Sequence, residues 1–249
     1  MTLISRLGIF TPLDYAALAL LLLLWLGIGW RIEHPSARRV SVALLMEGFR
    51  RDWMTQMVDR NPRIFDAQLL GNLRQGTAFF ASASMIAIGG GLALIGNTEP
   101  LESLVADLAL ADTPAQVWEI KLLVILLFLS NAFLKFVWAH RLFGYCSVLM
   151  AAVPNSPQEP LAYIRAEQAA EINISAARSF NRAMRAIYFA LSAAAWILGP
   201  VPLILATLAT VAVLWRREFA SQSRAALLRC PPGTTASHAD VITARARRG

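Results

Sequence analysis

The sequence predicts an all-α protein, a polytopic transmembrane helical bundle with amphipathic cytosolic helices. Hydrophobic residues make up 57% of its 249 residues, and charged residues make up only 16%. Soluble domains carry about 25% charged residues. Long uncharged runs alternate with arginine-rich segments, which is the pattern of a chain that crosses a bilayer several times. We therefore expect one membrane domain over residues 1–230, followed by a flexible basic tail over 231–249 that lacks an apolar period.

The first predicted span covers residues 12–32. Pro12 suits the first turn of a helix, where the backbone N–H that proline lacks is not needed. No charge occurs from Tyr15 to Trp30, and about 20 helical residues cross a hydrocarbon core of about 30 Å. Arg31 follows in place of a small-residue cleavage site, so the helix is expected to be retained.

A cytosolic helix is predicted over residues 36–60, with Ser36 as a possible N-cap. Apolar residues recur there at steps of three and four, and the acidic and basic residues, Glu47 among them, fall between them. The apolar set is Val42, Leu45, Met46, Phe49, Trp53 and Met57. Asn61-Pro62 is expected to end the helix, since a residue before proline disfavours helical geometry. The helix is thus predicted to lie along the inner membrane face or under the bundle.

The second span is predicted over residues 76–96. Asp66 is placed to act as an N-cap of the helix that leads into it. The chain is uncharged from Gln75 to Thr98. Ala83, Ala87 and Gly91 repeat at four-residue steps and predict a small-residue face that a neighbouring helix can approach closely.

The third span is predicted over residues 118–141. Lys121 and Arg141 mark its outer and inner ends, because a separation of 20 residues corresponds to about 30 Å of helix. A loop-forming stretch from Pro154 to Pro160 follows, and a second cytosolic helix is predicted over residues 161–184.

The last apolar region runs from Ala186 to Trp215 and contains the sequence GPVP at 199–202. One straight helix of this length would measure about 45 Å, which exceeds the membrane core. Two short spans over 185–198 and 201–216 fit better, and they keep the following arginines inside. A single span kinked at the prolines remains the alternative.

Charge asymmetry predicts the orientation of the chain. Eight arginines lie from Arg31 to Arg74 and five from Arg141 to Arg185, whereas residues 97–118 carry acidic residues and no Lys or Arg. By the positive-inside rule the N-terminus is outside and the C-terminus is cytoplasmic. The net charge of +7 and the pI near 10.2 follow first from this topology, so no nucleic-acid partner is predicted.

The first candidate site is a set of arginines expected under the inner leaflet. Arginine forks match phosphate geometry, and basic residues beside a membrane attract anionic head groups. Topology alone also explains these residues and is the favoured reading. The set is Arg50, Arg51, Arg63, Arg74, Arg141, Arg182 and Arg185.

The second candidate is an intramembrane polar set comprising Ser82, Ser84, Asn131 and Lys135. Ionisable groups in spans are costly and often mark a pathway or a paired site. We expect Lys135 to pair with Asp66 or Glu171 in that case. The alternative, which is favoured, is that Lys135 extends toward water and that the serines and the asparagine join helices.

The third candidate lies in the shoulder, which is the segment from Arg50 to Phe80 where a charged helix leads into a span. Trp53, Asp66 and Asn72, together with Arg63, are the shoulder residues that topology does not explain. Asp52 and Asp59 are expected to pair with nearby arginines, since Asn61-Pro62 separates them from Asp66. No motif predicts a catalytic residue, a metal site, a disulfide or a cofactor.

Five motifs occur in a fixed order: RRDWM, RIFDAQLLGNL, FFASASM, LKFVWAHRLFGY and FALSAAAWILGPVP. In these the chain resembles the domain of unknown function 599 family of integral membrane proteins, over about Leu13 to Phe219. The resemblance implies a helical membrane protein. It implies no activity, cofactor or catalytic residue.

The sequence therefore predicts a bacterial inner-membrane protein of scaffold, accessory or lipid-contacting type, with no enzymatic role favoured. Its expected partners are membrane lipids, including anionic ones, and a protein in the membrane or the cytosol. Two alternatives stay open. The interrupted helix at GPVP is typical of transporters and channels for small solutes or ions, and the arginine set with Asp66 would suit an interfacial enzyme acting on a phosphorylated lipid.

Overall fold

A computed structural model describes residues 10–34, 39–96 and 115–229. These residues contain no strand and are 87% helical, which confirms the predicted all-α class. The predicted cap Ser36, the acidic segment after residue 96 and the tail over 231–249 lie outside the described residues. The helices are α1 (Pro12–Glu33), α2 (Val42–Val58), α3 (Ile64–Gly96), α4 (Ala115–Ala151), α5 (Leu161–Ala194), α6 (Pro200–Phe219) and α7 (Gln222–Leu227).

Three of the described helices are long and apolar enough to cross a membrane. They are α1, α3 between Ile64 and Ile95, and α4 between Gln116 and Ala151. Large apolar side chains on their surfaces, such as Leu23, Ile86 and Leu127, are more than two-thirds exposed. Surfaces of this kind suit contact with lipid. The predicted spans over 185–198 and 201–216 are not among the three, and they stay predictions.

Helix α2 begins later than the sequence predicts. Ser41 caps it, because its Oγ accepts a hydrogen bond from the Leu44 backbone N–H at 3.3 Å and donates to the Ile32 carbonyl at 2.7 Å. Its buried residues include Leu45 and Met57 of the predicted apolar set, but also Glu47. Glu47, one of the charged residues between the predicted apolar positions, is thus buried, and a partner on another helix compensates the burial of its charge.

Helix α3 is continuous from the shoulder into the predicted span. It begins at Ile64, so Asp66 already lies in the first turn and is not the N-cap. Of the predicted small-residue face, Gly91 is closely approached, since an added Cβ would lie 2.6 Å from Leu126 Cδ2, whereas Ala83 and Ala87 are exposed. Gly89 and Gly90 have no such neighbour.

The chain reverses direction after α5. A 3-10 turn from Ala195 to Leu198 leads to Gly199, whose φ of +123° is a conformation that favours glycine. Ser192 Oγ on α5 then lies 2.8 Å from Thr210 Oγ1 and 3.3 Å from the Ala206 carbonyl on α6. A continuous kinked helix would hold residues 192 and 210 about 27 Å apart. Helices α5 and α6 therefore form the predicted hairpin.

The chain divides into two compact units, each assembled from three segments. Unit 1 comprises Met1–Ile28, Ala81–Leu134 and Ala183–Val213, and unit 2 comprises Gly29–Phe80, Lys135–Arg182 and Leu214–Gly249. The core of unit 1 includes aromatic contacts of Phe128 with Trp25 and Phe189. In unit 2 the buried core is formed by side chains such as Met54, Phe143 and Ala166. The single domain over residues 1–230 stays a prediction.

Candidate functional site

Three arginines of unit 2 are held by glutamates in what we name the arginine–glutamate set. Its members are Arg51–Glu171, Arg178–Glu47 and Arg182–Glu33, with shortest N–O distances of 2.9, 2.6 and 2.5 Å. Arg178 binds Glu47 through two parallel hydrogen bonds of 2.6 and 2.7 Å, and Glu47 is only 7% exposed. This hydrogen bonding raises the pKa of Arg178, and Glu33 raises the pKa of Arg182 in the same way.

Arg63 binds the ends of two helices instead of a carboxylate. Its guanidinium donates to the carbonyls of Met57 and Val58 at the end of α2, at 3.2 and 3.1 Å. It also donates to the carbonyls of Val153 and Pro154 just beyond α4, at 2.7 and 2.6 Å. The Met57 and Val58 carbonyls lie in the last turn of α2, where a helix leaves carbonyls without intrahelical partners. Arg63 therefore acts in the fold, and its donors are already occupied.

The shoulder residues Trp53 and Asp66 are brought together, but as a structural contact. Trp53 Nε1 donates to Asp66 Oδ1 at 2.8 Å, and Arg60 binds the same oxygen. Asp66 is fully buried, and its Oδ2 has no hydrogen-bond partner among the described residues. Its carboxylate thus binds side chains and does not cap α3. Arg60 is the member of this group that sequence reasoning missed.

The remaining predicted arginines differ in their surroundings. Arg141 donates to the Tyr145 hydroxyl at 2.5 Å. Arg74 has a buried Nε without a hydrogen-bond partner in the described part of the chain. Arg185 is buried and belongs to unit 1, whereas the other six predicted arginines belong to unit 2.

The members of the intramembrane polar set differ in their burial. Ser82 is exposed and Ser84 is buried, because two residues turn a helix by about 200°. Asn131 and Lys135 are both half-buried, and Lys135 falls in unit 2. The carboxylates offered as its partners, Asp66 and Glu171, are ion-paired with Arg60 and Arg51.

A cavity of about 240 Å³ opens beside Arg50 in unit 2. The shoulder residue Asn72 lines it together with Asn181 from α5, and the aromatic rings of Phe143 and Phe180 form part of its wall. Sequence reasoning did not identify Asn181 or the two rings. Phe180 and Asn181 lie about 130 residues after Arg50, and Phe143 lies about 90 residues after it. No local pattern connects them with Arg50.

Unit 1 contains a buried polar group that sequence reasoning also missed. Asp14 accepts hydrogen bonds from Thr11 Oγ1 at 2.6 Å and from Trp196 Nε1 at 2.8 Å. The Lys121 ammonium lies 4.9 Å from the centroid of the Trp118 ring and 5.9 Å from that of Trp196. Asp14 and Lys121 are both buried. The sequence feature that could have indicated this group is a pair of opposite charges beside aromatic residues. The two charges lie at the same end of two predicted spans.

Across the described ranges, no three His, Cys, Asp or Glu side chains lie close enough together to bind a metal ion. A family model described as protein of unknown function, DUF599, matches residues 16–223. No curated protein and no solved structure matches the chain.

Proposed function

The chain belongs to the DUF599 family, and from that premise we propose that it is a multi-pass protein of the bacterial inner membrane. In this proposal the N-terminus is outside, the C-terminus is cytoplasmic, and unit 2 faces the cytosol. The protein acts as a scaffold or accessory protein that contacts anionic lipids, and it performs no chemical reaction. The length and apolar surfaces of α1, α3 and α4 support the membrane location, and the arginine distribution supports the orientation.

Lipid contact rests on Arg74 and Arg141. Arg74 directly precedes the uncharged run of α3, and Arg141 follows the apolar part of α4. Neither has a carboxylate within ion-pair distance among the described residues, in contrast to the arginine–glutamate set. Each such cation contributes about 1 kcal/mol of attraction to an anionic membrane surface. The Arg141 side chain is exposed and that of Arg74 is half-buried, so both are offered to lipid phosphates in this proposal.

The arginine–glutamate set supports a scaffold role for unit 2. Glu33 and Glu47 lie near the start of the chain, and their arginine partners lie on α5. Together with Arg51–Glu171, these pairs connect segments that are far apart in sequence and so favour one defined surface. A folded body of this kind suits contact with a protein partner in the membrane or the cytosol.

Native mass spectrometry of the purified protein tests the lipid contact. We expect retained anionic phospholipid, and an affinity about tenfold lower or more when Arg74→Gln is combined with Arg141→Gln. The matched control combines Arg51→Gln with Arg165→Gln, which removes the same charge from sites remote from the apolar segments. Equal lipid retention by the two double variants would contradict the proposal.

A reporter fused after Arg229 tests the orientation. It should be active only in the cytosol, because the α5–α6 hairpin returns the chain to the side from which α5 begins. Periplasmic activity would refute the proposed topology.

A small-solute or ion transporter is the second candidate, and buried Asp14 and Lys121 in α1 and α4 favour it. Charged groups within membrane-length helices often belong to ion or substrate pathways. Transport by reconstituted vesicles that stops in Lys121→Met would support this candidate. An interfacial enzyme has less support, because Trp53 and Arg60 already occupy Asp66.

A further inference from the structure

Arg50 differs from Arg51, Arg178 and Arg182, which are ion-paired with glutamates. Its one hydrogen-bond acceptor among the described residues is Oδ1 of Asn173, a neutral and fully buried amide. The Asn173 amide nitrogen in turn contacts the Cys146 sulfur at 3.6 Å. No described carboxylate lies within ion-pair distance of Arg50, although Arg51 beside it binds Glu171.

A guanidinium group in this position lacks a counter-charge. Burial of a cation costs free energy unless an anion or several hydrogen bonds compensate it. Arginine has five N–H donors, and Asn173 accepts from only one nitrogen of Arg50. Burial also lowers the pKa of Arg50, and Cys146 and Glu47 oppose this shift. The remaining donors are thus free to bind an acceptor within the adjacent cavity.

The cavity beside Arg50 has the lining that an anion requires. Its lining includes the amides of Asn72 and Asn181 and contains no Asp or Glu. Phe143 and Phe180 add apolar surface. The volume of about 240 Å³ is below the ~300 Å³ at which pockets for drug-sized ligands begin. The site is therefore large enough for a head group or a small acid and too small for a whole lipid.

We propose that this cavity binds a small phosphate-bearing anion, with the phosphate on Arg50, Asn72 and Asn181 and the adjoining carbons against Phe143 and Phe180. Two sources carry this chemistry, the glycerophosphate head group of an anionic lipid and a free phosphomonoester. An arginine fork and amide donors suit phosphate oxygens in both. The site lies beyond the surface lipid contact proposed above, since it uses neither Arg74 nor Arg141.

Binding to the full-length protein tests the proposal in two arms, one with soluble probes in detergent and one with a lipid in nanodiscs. Glycerol 3-phosphate and inorganic phosphate are titrated by calorimetry, and phosphatidylglycerol is followed by native mass spectrometry of nanodiscs. Arg50→Gln should weaken binding about tenfold or more, since a charged hydrogen-bond donor is lost. Arg51→Gln removes the same charge at the next position and should change binding by less than about twofold.

The two arms separate the sources. Saturable binding of the soluble probes that is lost in Arg50→Gln identifies a free phosphomonoester. Retention of phosphatidylglycerol alone by the Arg74→Gln, Arg141→Gln double variant, lost when Arg50→Gln is added, identifies a lipid head group. Absence of binding in both arms, or equal weakening by Arg50→Gln and Arg51→Gln, would overturn the proposal.

Two further variants keep the test decisive. Asn181→Leu keeps the number of side-chain heavy atoms and the net charge but removes the amide donor, so it should weaken binding about fivefold or more even if Arg50→Gln fails to fold. Unchanged binding by a folded Asn181→Leu protein would overturn the site. The combination of Arg74→Gln with Arg141→Gln should leave cavity binding intact, so the cavity and the surface lipid contact can fail independently.

Discussion

The pair Glu47–Arg178 should respond unequally to loss of its two members. Glu47 is buried, whereas the Arg178 side chain is 42% exposed. Replacement of Arg178 by Met leaves a carboxylate buried without its cation. Replacement of Glu47 by Gln leaves a guanidinium that can turn toward water. We therefore expect Arg178→Met to destabilise the protein more than Glu47→Gln.

The expected magnitudes follow from burial. Removal of one member of a fully buried pair costs about 3–5 kcal/mol, and the exposure of Arg178 reduces this to about 2–3 kcal/mol. Glu47→Gln should cost about 1 kcal/mol. Glu47→Leu combined with Arg178→Met removes both charges, so it should be less destabilising than Arg178→Met alone.

Thermal unfolding in a mild detergent, followed by tryptophan fluorescence, measures these differences. A loss of 2–3 kcal/mol lowers Tm by about 4–12 °C for a chain of this size. A larger loss from Glu47→Gln than from Arg178→Met would refute the reasoning. So would a double variant whose loss equals the sum of the losses from Glu47→Leu and Arg178→Met.

Three other changes test separate parts of the fold. Arg63→Ala should lower the free energy of unfolding by about 2–4 kcal/mol, measured by thermal unfolding, since four carbonyls lose a charged donor. A loss below about 1 kcal/mol, as for an exposed ion pair, would contradict the role of Arg63. Gly90→Ala should raise Tm slightly through helix propensity, whereas Gly91→Ala should not, because its Cβ meets a packed leucine; the reverse order would count against the close contact. Ser192→Cys combined with Thr210→Cys should form a disulfide under mild oxidation, which is detected as a difference in gel mobility between the unreduced and the reduced sample. Failure of the two thiols to crosslink would contradict the hairpin.

Membrane-length helices were predictable because length and composition are local properties. Uncharged runs placed three such helices, although α3 begins 12 residues before the predicted span and α4 ends 10 residues after it. Of the small-residue repeat, Gly91 makes a close helix contact, whereas Ala83 and Ala87 are exposed. The hairpin was favoured through the length of the last apolar region and the arginines after it. Gly199 supplies the turn that this argument required.

The roles of single charged residues were less predictable. Glu47 was placed only as a charged residue between the predicted apolar positions, because a helical period reports only how a residue lies relative to its near neighbours. Its partner Arg178 lies 131 residues away. Asp66 was expected to cap α3 because only its near neighbours along the chain were considered. Trp53 and Arg60 can reach it only after the chain turns at Asn61-Pro62. The cavity beside Arg50 depends on four helices, so no single segment indicated it.

The four carbonyls around Arg63 also affect how charge should be counted in this chain. The end of a helix carries about half a negative charge from its aligned peptide dipoles. Arg63 binds carbonyls at the end of α2 and in the loop after α4, so these dipoles offset part of the charge of one guanidinium without any carboxylate. The formal charge of Arg63 therefore overstates the positive field that this side chain adds to unit 2. A calculated surface potential for this family should include backbone dipoles before arginines are taken as evidence of ligand binding.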